Sequence, residues 1–169
     1  LDVTMGDGAF MKDLDSAIEL ARQMVAIGTA HGRKVAALIT DMDKPLGRNI
    51  GNSLEVAESM AVLQGHGPQD LTEVCLQLAT NMLILAGKGD AATCRSMAEQ
   101  VIADGSAFDL CCKMFAAQGG DISVLKDASK FRQAKYSYEL TAEQEGYICK
   151  NDVEKIGNAS VLLGAGRIK

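Results

Sequence analysis

Apolar and polar residues alternate over Leu1 to Met5 ("LDVTM"), and a period of two over so short a run predicts a strand. From Asp13 the period lengthens. Leu14, Ala17, Ile18, Ala21, Met24 and Val25 recur at helical spacing, with Asp13 or Asp15 placed to cap the start and Gly28 or Gly32 placed to end it. "KVAALIT" follows as a nearly continuous apolar run, the pattern of a strand covered on both faces. Strand, helix and strand within about forty residues make a βαβ unit, so the two strands are predicted to be parallel and joined by a right-handed crossover.

Beyond this unit the pattern is helical. "NSLEVAESMAVLQG" places Leu54, Ala57, Ala61 and Val62 on one inner face. "QDLTEVCLQLATNMLILAG", "DAATCRSMAEQVIADG" and "SAFDLCCKMFAAQGG" are three more helices stopped by glycine, with Asp70 and Glu73 marking the start of the first and Asp90 and Ser106 as caps of the other two. No internal repeat is evident. The character changes near Asp121. "KYSYELTAEQEGYICK" gathers Tyr136, Tyr138 and Tyr147 around a Glu-Gly turn and predicts a β hairpin, and "NDVEKIGNASVLLGAG" predicts a final helix.

The fold class read from these patterns is α/β: part of a mixed or parallel sheet with flanking helices, plus the start of a small α+β C-terminal domain. Residues 1–130 are read as a segment of the central α/β domain, and 131–169 as a linker and the beginning of the next unit. Two parallel strands do not make an independent covered sheet, and parallel sheets are normally buried inside larger ones. Further strands are therefore expected from chain upstream or from a partner. The chain opens inside a strand without an initiator Met, so it is expected to begin mid-protein.

Composition narrows the function classes. The 169 residues are 47% hydrophobic and 23% charged, a globular balance. With 4% aromatics and no Trp, the core is expected to consist of Ala, Leu, Ile, Val and Met. Lys and Arg number 17 against 22 Asp and Glu, a net charge of −5, which lacks the broad positive field of a nucleic-acid binder. No apolar run approaches the roughly 20 residues that span a bilayer, so no membrane association is expected. The five cysteines form no CxxC pair, and neither His31 nor His66 has zinc-ligand spacing beside it. Free buried thiols in a reducing cytoplasm are the expectation, and there is no signal peptide.

Two stretches could carry chemistry. "GDGAFMKD" is neither GxGxxG nor a P-loop, and a tight turn accounts for it. It nonetheless leaves the carboxyl end of a parallel strand, where α/β proteins bind ligands. Phe10 and Met11 there either cap the core or form a substrate wall. In "DMDKPLGRNIGNSLEVAE", Pro45 fixes φ and Gly47 permits unusual angles, so carbonyls between Leu46 and Asn49 can turn inward together. Hard cations favour carbonyls plus a carboxylate, and Glu58, one helical turn beyond Leu54, can face back toward the turn. Residue chemistry alone favours the plainer account, in which Pro45 and Gly47 shape a connection and Glu58 is a solvated helix acid. Asp41, Asp43 and Glu55 could be read as an acid–base set, but strand-end carboxylates more often cap loops. His31 and His66 sit in glycine-flanked loops, expected to be exposed and without a triad partner.

"LDVTMGDGAFMKD", "KVAALITDMDKPLGRNIGNSLEVAESMAVLQGHGPQDLTE" and "AEQEGYICKNDVEKIGNASVLLGAGR" resemble successive blocks of the pyrimidine-nucleoside and thymidine phosphorylases, over nearly the whole chain, in order and at similar spacings. The related anthranilate phosphoribosyltransferases share the fold type but not these blocks. The resemblance implies a pentosyltransferase of pyrimidine salvage: pyrimidine (deoxy)nucleoside and phosphate are converted reversibly to free base and (deoxy)ribose 1-phosphate. It implies a potassium ion held by the carbonyls of Leu46 and Asn49 and the side chain of Glu58, and Phe10 as a wall near the pyrimidine ring. Asn49 replaces an alanine common in the family, which matters little for a carbonyl ligand, and Asp7 stands where serine is common. The family's phosphate loop and base-recognition residues precede the blocks matched here. No catalytic residue is therefore assigned, the 169 residues alone are expected to be inactive, and an upstream segment of the same enzyme is the expected partner. A homodimer in the cytoplasm is implied for the full-length form. The alternatives are a non-catalytic module with a structural cation site and a related phosphoribosyltransferase.

Overall fold

The structure is a computed structural model and describes residues 1–166. Strand β1 (Asp2–Met5) and strand β2 (Leu38–Asp41) lie parallel, with Asp2 opposite Leu38 and Met5 opposite Asp41. Helix α1 (Leu14–Ala30) is the crossover between them. It starts where the Asp13 carboxylate accepts the Ser16 N–H at 2.9 Å and the Ser16 hydroxyl at 2.8 Å, satisfying a donor that the first turn leaves orphaned. Ala17 and Ala21 let α1 settle closely on Val3, and Met5, Met11, Leu20, Ala37 and Ile39 surround this contact. The βαβ expectation therefore holds in order and direction.

Strand β2 is shorter than the apolar run predicted, and Leu38, Ile39 and Thr40 are half-buried instead of covered on both faces. Its only described partner, β1, is four residues long, so Val35 to Ala37 have no strand beside them.

Helices α2 (Asn52–Leu63), α3 (Gln69–Leu85), α4 (Ala91–Ala103), α5 (Ser106–Ala117) and the short α6 (Ser123–Lys126) follow, then a 3-10 turn at Ala128–Lys130. Asp90 caps α4 as expected, accepting the Thr93 N–H at 2.8 Å. Ser106 does not cap α5. Gly105 occupies that position with φ +79, and the Asp104 carboxylate takes the Ser106 N–H at 2.9 Å. Helices α3 and α4 pair closely, burying Leu76 and Thr80 on one and Cys94 and Ala98 on the other. Arg95 of α4 forks onto Glu73 of α3 at 2.9 and 2.7 Å and reaches Glu99 at 2.6 Å. A second cluster joins α2, α5 and α6 through Met60, Cys112 and Leu125. Between α2, α3, α4 and α5 lies an apolar cavity of about 730 Å³.

The thiols do not all behave as expected: Cys94 and Cys112 are buried, Cys111 is half-buried, and Cys75 and Cys149 are exposed. The predicted hairpin is absent. No strand forms between residues 132 and 152, and Tyr136, Tyr138 and Tyr147 stand 83%, 88% and 101% exposed. A two-stranded hairpin is marginal in water without a surface to pack on, and none is offered to this segment among the described residues. The α+β character expected after residue 131 is thus not seen. Instead helix α7 (Val153–Leu162) folds back onto the loops that follow the strands. Arg167, which ends the last of the quoted blocks, lies outside the described residues. No helix among them is long and apolar enough to cross a membrane.

The buried Thr80 hydroxyl has no hydrogen-bond partner among the described residues. Thr80→Val removes that orphan at little cost in shape, so it should raise stability by about 1 kcal/mol, read as a higher denaturant midpoint at unchanged slope. The Glu73 carboxyl is held down from its ordinary 4.5 to about 2, chiefly by the Arg95 hydrogen bonds and then by Gln77. A depressed folded value stabilises above the unfolded one, so this contribution is present above pH 4.5 and lost as pH falls toward 2. Glu73→Gln should flatten that part of the stability profile, measured by unfolding between pH 7 and pH 2.

Candidate functional site

The carboxyl ends of β1 and β2 open onto two loops, 6–13 and 42–51. Pro45 and Gly47 shape the second, and its backbone is held by carboxylates from two helices. Asp70, in the first turn of α3, accepts the Gly47 N–H at 3.1 Å. Glu58 of α2 accepts the Arg48 N–H at 3.1 and 3.3 Å and the Asn49 N–H at 3.3 Å. Glu55 accepts the Gly51 N–H at 2.9 Å, which closes the start of α2 in the absence of a side-chain cap from Gly51 itself. The Asp70 carboxyl lies below its ordinary range, first because of the Leu71 N–H and, among the weaker causes, that of Gly47.

Glu58 is not the solvated acid that residue chemistry favoured. It is 6% exposed, the one charged side chain buried among the described residues. It can lie this close only because residue 47 is glycine: φ is +72, and a Cβ there would fall on Glu58 Oε2. Leu46, Asn49 and Glu58 together line a cavity of about 320 Å³, completed by Leu71 of α3 and by Val153, Ile156 and Gly157 of α7. Among the described residues no hydrogen-bond donor reaches the carbonyl oxygen of Leu46 or Asn49, and Glu58 forms no ion pair. Nor do three His, Cys, Asp or Glu side chains gather anywhere among them as a metal-binding group. Cation-binding capacity at this turn would therefore rest on carbonyls and one carboxylate, a hard-cation donor set and not a transition-metal one.

The first loop divides the pair Phe10 and Met11. Met11 bridges to Met5 and packs on the α1 core, whereas Phe10 is 96% exposed and stands apart from the Glu58 cavity. Asp41 and Asp43 are loop caps: Asp41 takes the Asp43 N–H and Asp43 takes the Asp7 N–H, each at 2.8 Å. A polar cavity of about 450 Å³ lies between the two loops and residues 148–151, lined by Lys12, Lys44 and Lys150 with Asp7 and Asp43. His31 and His66 are exposed, as expected. The sequence reading placed Asp70 at its helix start but did not join it, or the α7 residues, to this turn. Nothing in the linear pattern connects Gly47 to an acid on another helix, or residue 58 to a helix that starts at 153.

Residues 1–108, which carry both strands, the crossover and this turn, match the glycosyl transferase family, a/b domain. The chain belongs to that family. Within it, the chain is similar to the pyrimidine-nucleoside phosphorylase of Geobacillus stearothermophilus, with 49% identity over 168 residues. It is 44% identical over 168 residues to the pyrimidine-nucleoside phosphorylase of Bacillus subtilis and 43% identical over 169 residues to that of Staphylococcus aureus. Each alignment covers 99% of this chain and 39% of the relative, so the chain spans well under half the length of the phosphorylases it matches. The resemblance that the quoted blocks carry is thereby borne out.

A pair of glycines isolates the contact at the heart of this family member's turn. Gly32 and Gly47 share nearly the same φ, +71 and +72, but a Cβ at Gly32 meets nothing within 4 Å. Gly32→Ala should cost only left-handed strain, about 1–2 kcal/mol. Gly47→Ala should cost about 1–3 kcal/mol more, because the displaced carboxylate leaves turn N–H groups unpaired. Chemical denaturation of the two variants checks the difference, and equal losses would mean that Glu58 does not hold the turn.

Proposed function

We propose that these residues belong to a pyrimidine-nucleoside phosphorylase, which converts a pyrimidine (deoxy)nucleoside and phosphate reversibly to free base and (deoxy)ribose 1-phosphate. The observation that carries the reading is the 43–49% identity, over 99% of the chain, to enzymes of that name. In this reaction a phosphate oxygen forms a bond to the anomeric carbon while the carbon–nitrogen bond to the base breaks. The bonding electron pair leaves on the pyrimidine. The protein's work is to hold phosphate and sugar in line and to stabilise the charge growing on the base.

In this reading residues 1–130 are part of the central α/β domain, and 131–169 begin the next unit. The chain supplies one flank of the cleft and the wall that braces the phosphate site. Leu46 and Asn49 through their carbonyls, and Glu58 through its carboxylate, would hold a potassium ion. The fit is supported by two carbonyls without donors beside a buried carboxylate without a cation. A bound monovalent cation supplies fixed positive charge next to an anionic substrate. The turn itself orients the donors, since carboxylates already restrain the N–H groups of Gly47, Arg48, Asn49 and Gly51. Phe10, exposed at the carboxyl end of β1, is the proposed wall beside the pyrimidine ring, where its burial by substrate would remove apolar surface from water. The cytoplasmic homodimer belongs to the same proposal.

The test is base release from uridine and thymidine by the whole protein, with and without phosphate. Release that requires phosphate and yields the sugar 1-phosphate is expected. Release without phosphate, or release that requires added pyrophosphate in its place, would refute the reading. For the cation, Glu58→Gln keeps a hydrogen-bond acceptor for the turn while removing the charge. It should raise KM for phosphate about tenfold and abolish any advantage of potassium over sodium. Wild-type kinetics in both salts would remove Glu58 from the ligand set.

A further inference from the structure

We infer that Asp7 is a positioning residue that pins α7 across the Glu58 cavity and so couples the Phe10 loop to the turn at 46–51. The inference deepens the proposed function and rests on it for its consequence in catalysis. Three observations carry it. First, Asp7 ties three separate pieces of chain together. Its N–H donates to Asp43 Oδ1 at 2.8 Å, its carbonyl accepts Lys12 Nζ at 2.8 Å, and its Oδ2 accepts the Val153 N–H at 2.9 Å across 146 residues of sequence. Val153 is the first residue of α7, and that N–H is a donor the helix cannot satisfy internally, since the cap residue Asp152 serves the Lys155 N–H instead.

Second, the junction is closely fitted. A Cβ on Gly6 would meet Asp43 Oδ1 at 2.6 Å, and one on Gly8 would meet Val153 Cγ1 at 2.7 Å. The loop bearing Phe10 therefore has no slack against either the second loop or α7. Third, α7 is held at its other end as well, where the Asn52 N–H donates to the Ala165 carbonyl at 2.8 Å. Between these two fixed ends Ile156 and Gly157 face Leu46, Asn49 and Glu58 across the cavity. Asp7 lines the neighbouring polar cavity and not this one, so it acts on the turn through the helix it anchors.

Hydrogen–deuterium exchange on the purified protein tests this without reference to turnover. In Asp7→Ala, the amides of residues 153–156 and those of Arg48 and Asn49 should exchange about tenfold faster, while α1 keeps wild-type protection. Asp7→Asn, which retains an acceptor oxygen, should stay within about twofold of wild type. If Asp7→Ala loses protection throughout, Val153→Pro decides instead. It deletes the donated N–H at a first helical position where proline is well tolerated, and relative to Val153→Ala, which loses the same side-chain contact with Gly8 but keeps the N–H, it should loosen the same two segments. Wild-type exchange at α7 in Asp7→Ala or Val153→Pro would overturn the pin, and a loosened α7 with an unchanged turn would overturn the coupling. In the active protein the coupling should appear as a KM for phosphate that rises several-fold more than kcat falls, with Asp7→Asn close to wild type. A wild-type protein without phosphorolysis would refute the proposed function, while exchange would still decide the role of Asp7.

Discussion

A carboxylate withdrawn from water has to be compensated, and at Glu58 the compensation is the backbone of a single turn. Its oxygens accept the N–H groups of Arg48 and Asn49, which offsets a desolvation cost that otherwise reaches several kcal/mol. The rest of the site follows from that pairing. The turn can come so near only with glycine at 47. Its flanks are tied by Glu55 on the same helix and by Asp70 on the next, so the first turns of α2 and α3 are both bonded to it. The carbonyls of Leu46 and Asn49 are left over, held in place but unused. With the N–H groups of Gly47, Arg48, Asn49 and Gly51 paired to carboxylates and these two carbonyls open, the turn presents acceptors more than donors to the cavity.

The architecture explains why such a turn needs support from so many directions. Two four-residue strands give a short platform, on which α1 packs through a core that includes Ala17 and Ala21. The remaining helices build their own clusters away from the sheet. The strand-end loops thus take little rigidity from the sheet itself. They borrow it from helix termini: Asp70 at the start of α3, Glu55 at the start of α2, and the first residue of α7 held on Asp7. This differs from a large doubly wound sheet, where many strands fix each loop at its root.

Features set by neighbours in sequence were legible. The alternation of Leu1 to Met5, the helical spacing of Leu14 to Val25, and the caps Asp13 and Asp90 all depend on residues within a few positions, and all stand as read. Features set by distant chain were not. β2 is cut to the length of its partner, which the composition of "KVAALIT" does not encode. The tyrosine-rich stretch alternates like a hairpin but lacks a surface to alternate against. Glu58 has the local surroundings of an exposed acid, and its burial comes from a turn ten residues before it and a helix near the far end of the chain. Residue chemistry raised the Leu46–Asn49 carbonyls and Glu58 as a cation turn but favoured the plainer account, and the family blocks tipped the choice because a family pattern records tertiary contacts that spacing does not.

The 146-residue separation between Asp7 and Val153 also sets an order in time. The turn and its carboxylates can assemble from local chain, but the far wall of the cavity, α7, is made much later in synthesis. At about 5–20 residues per second the interval is on the order of ten seconds, long compared with the folding of a small domain. Through that interval the nascent chain carries an open, half-walled acid. The pocket is therefore complete only once translation has passed α7.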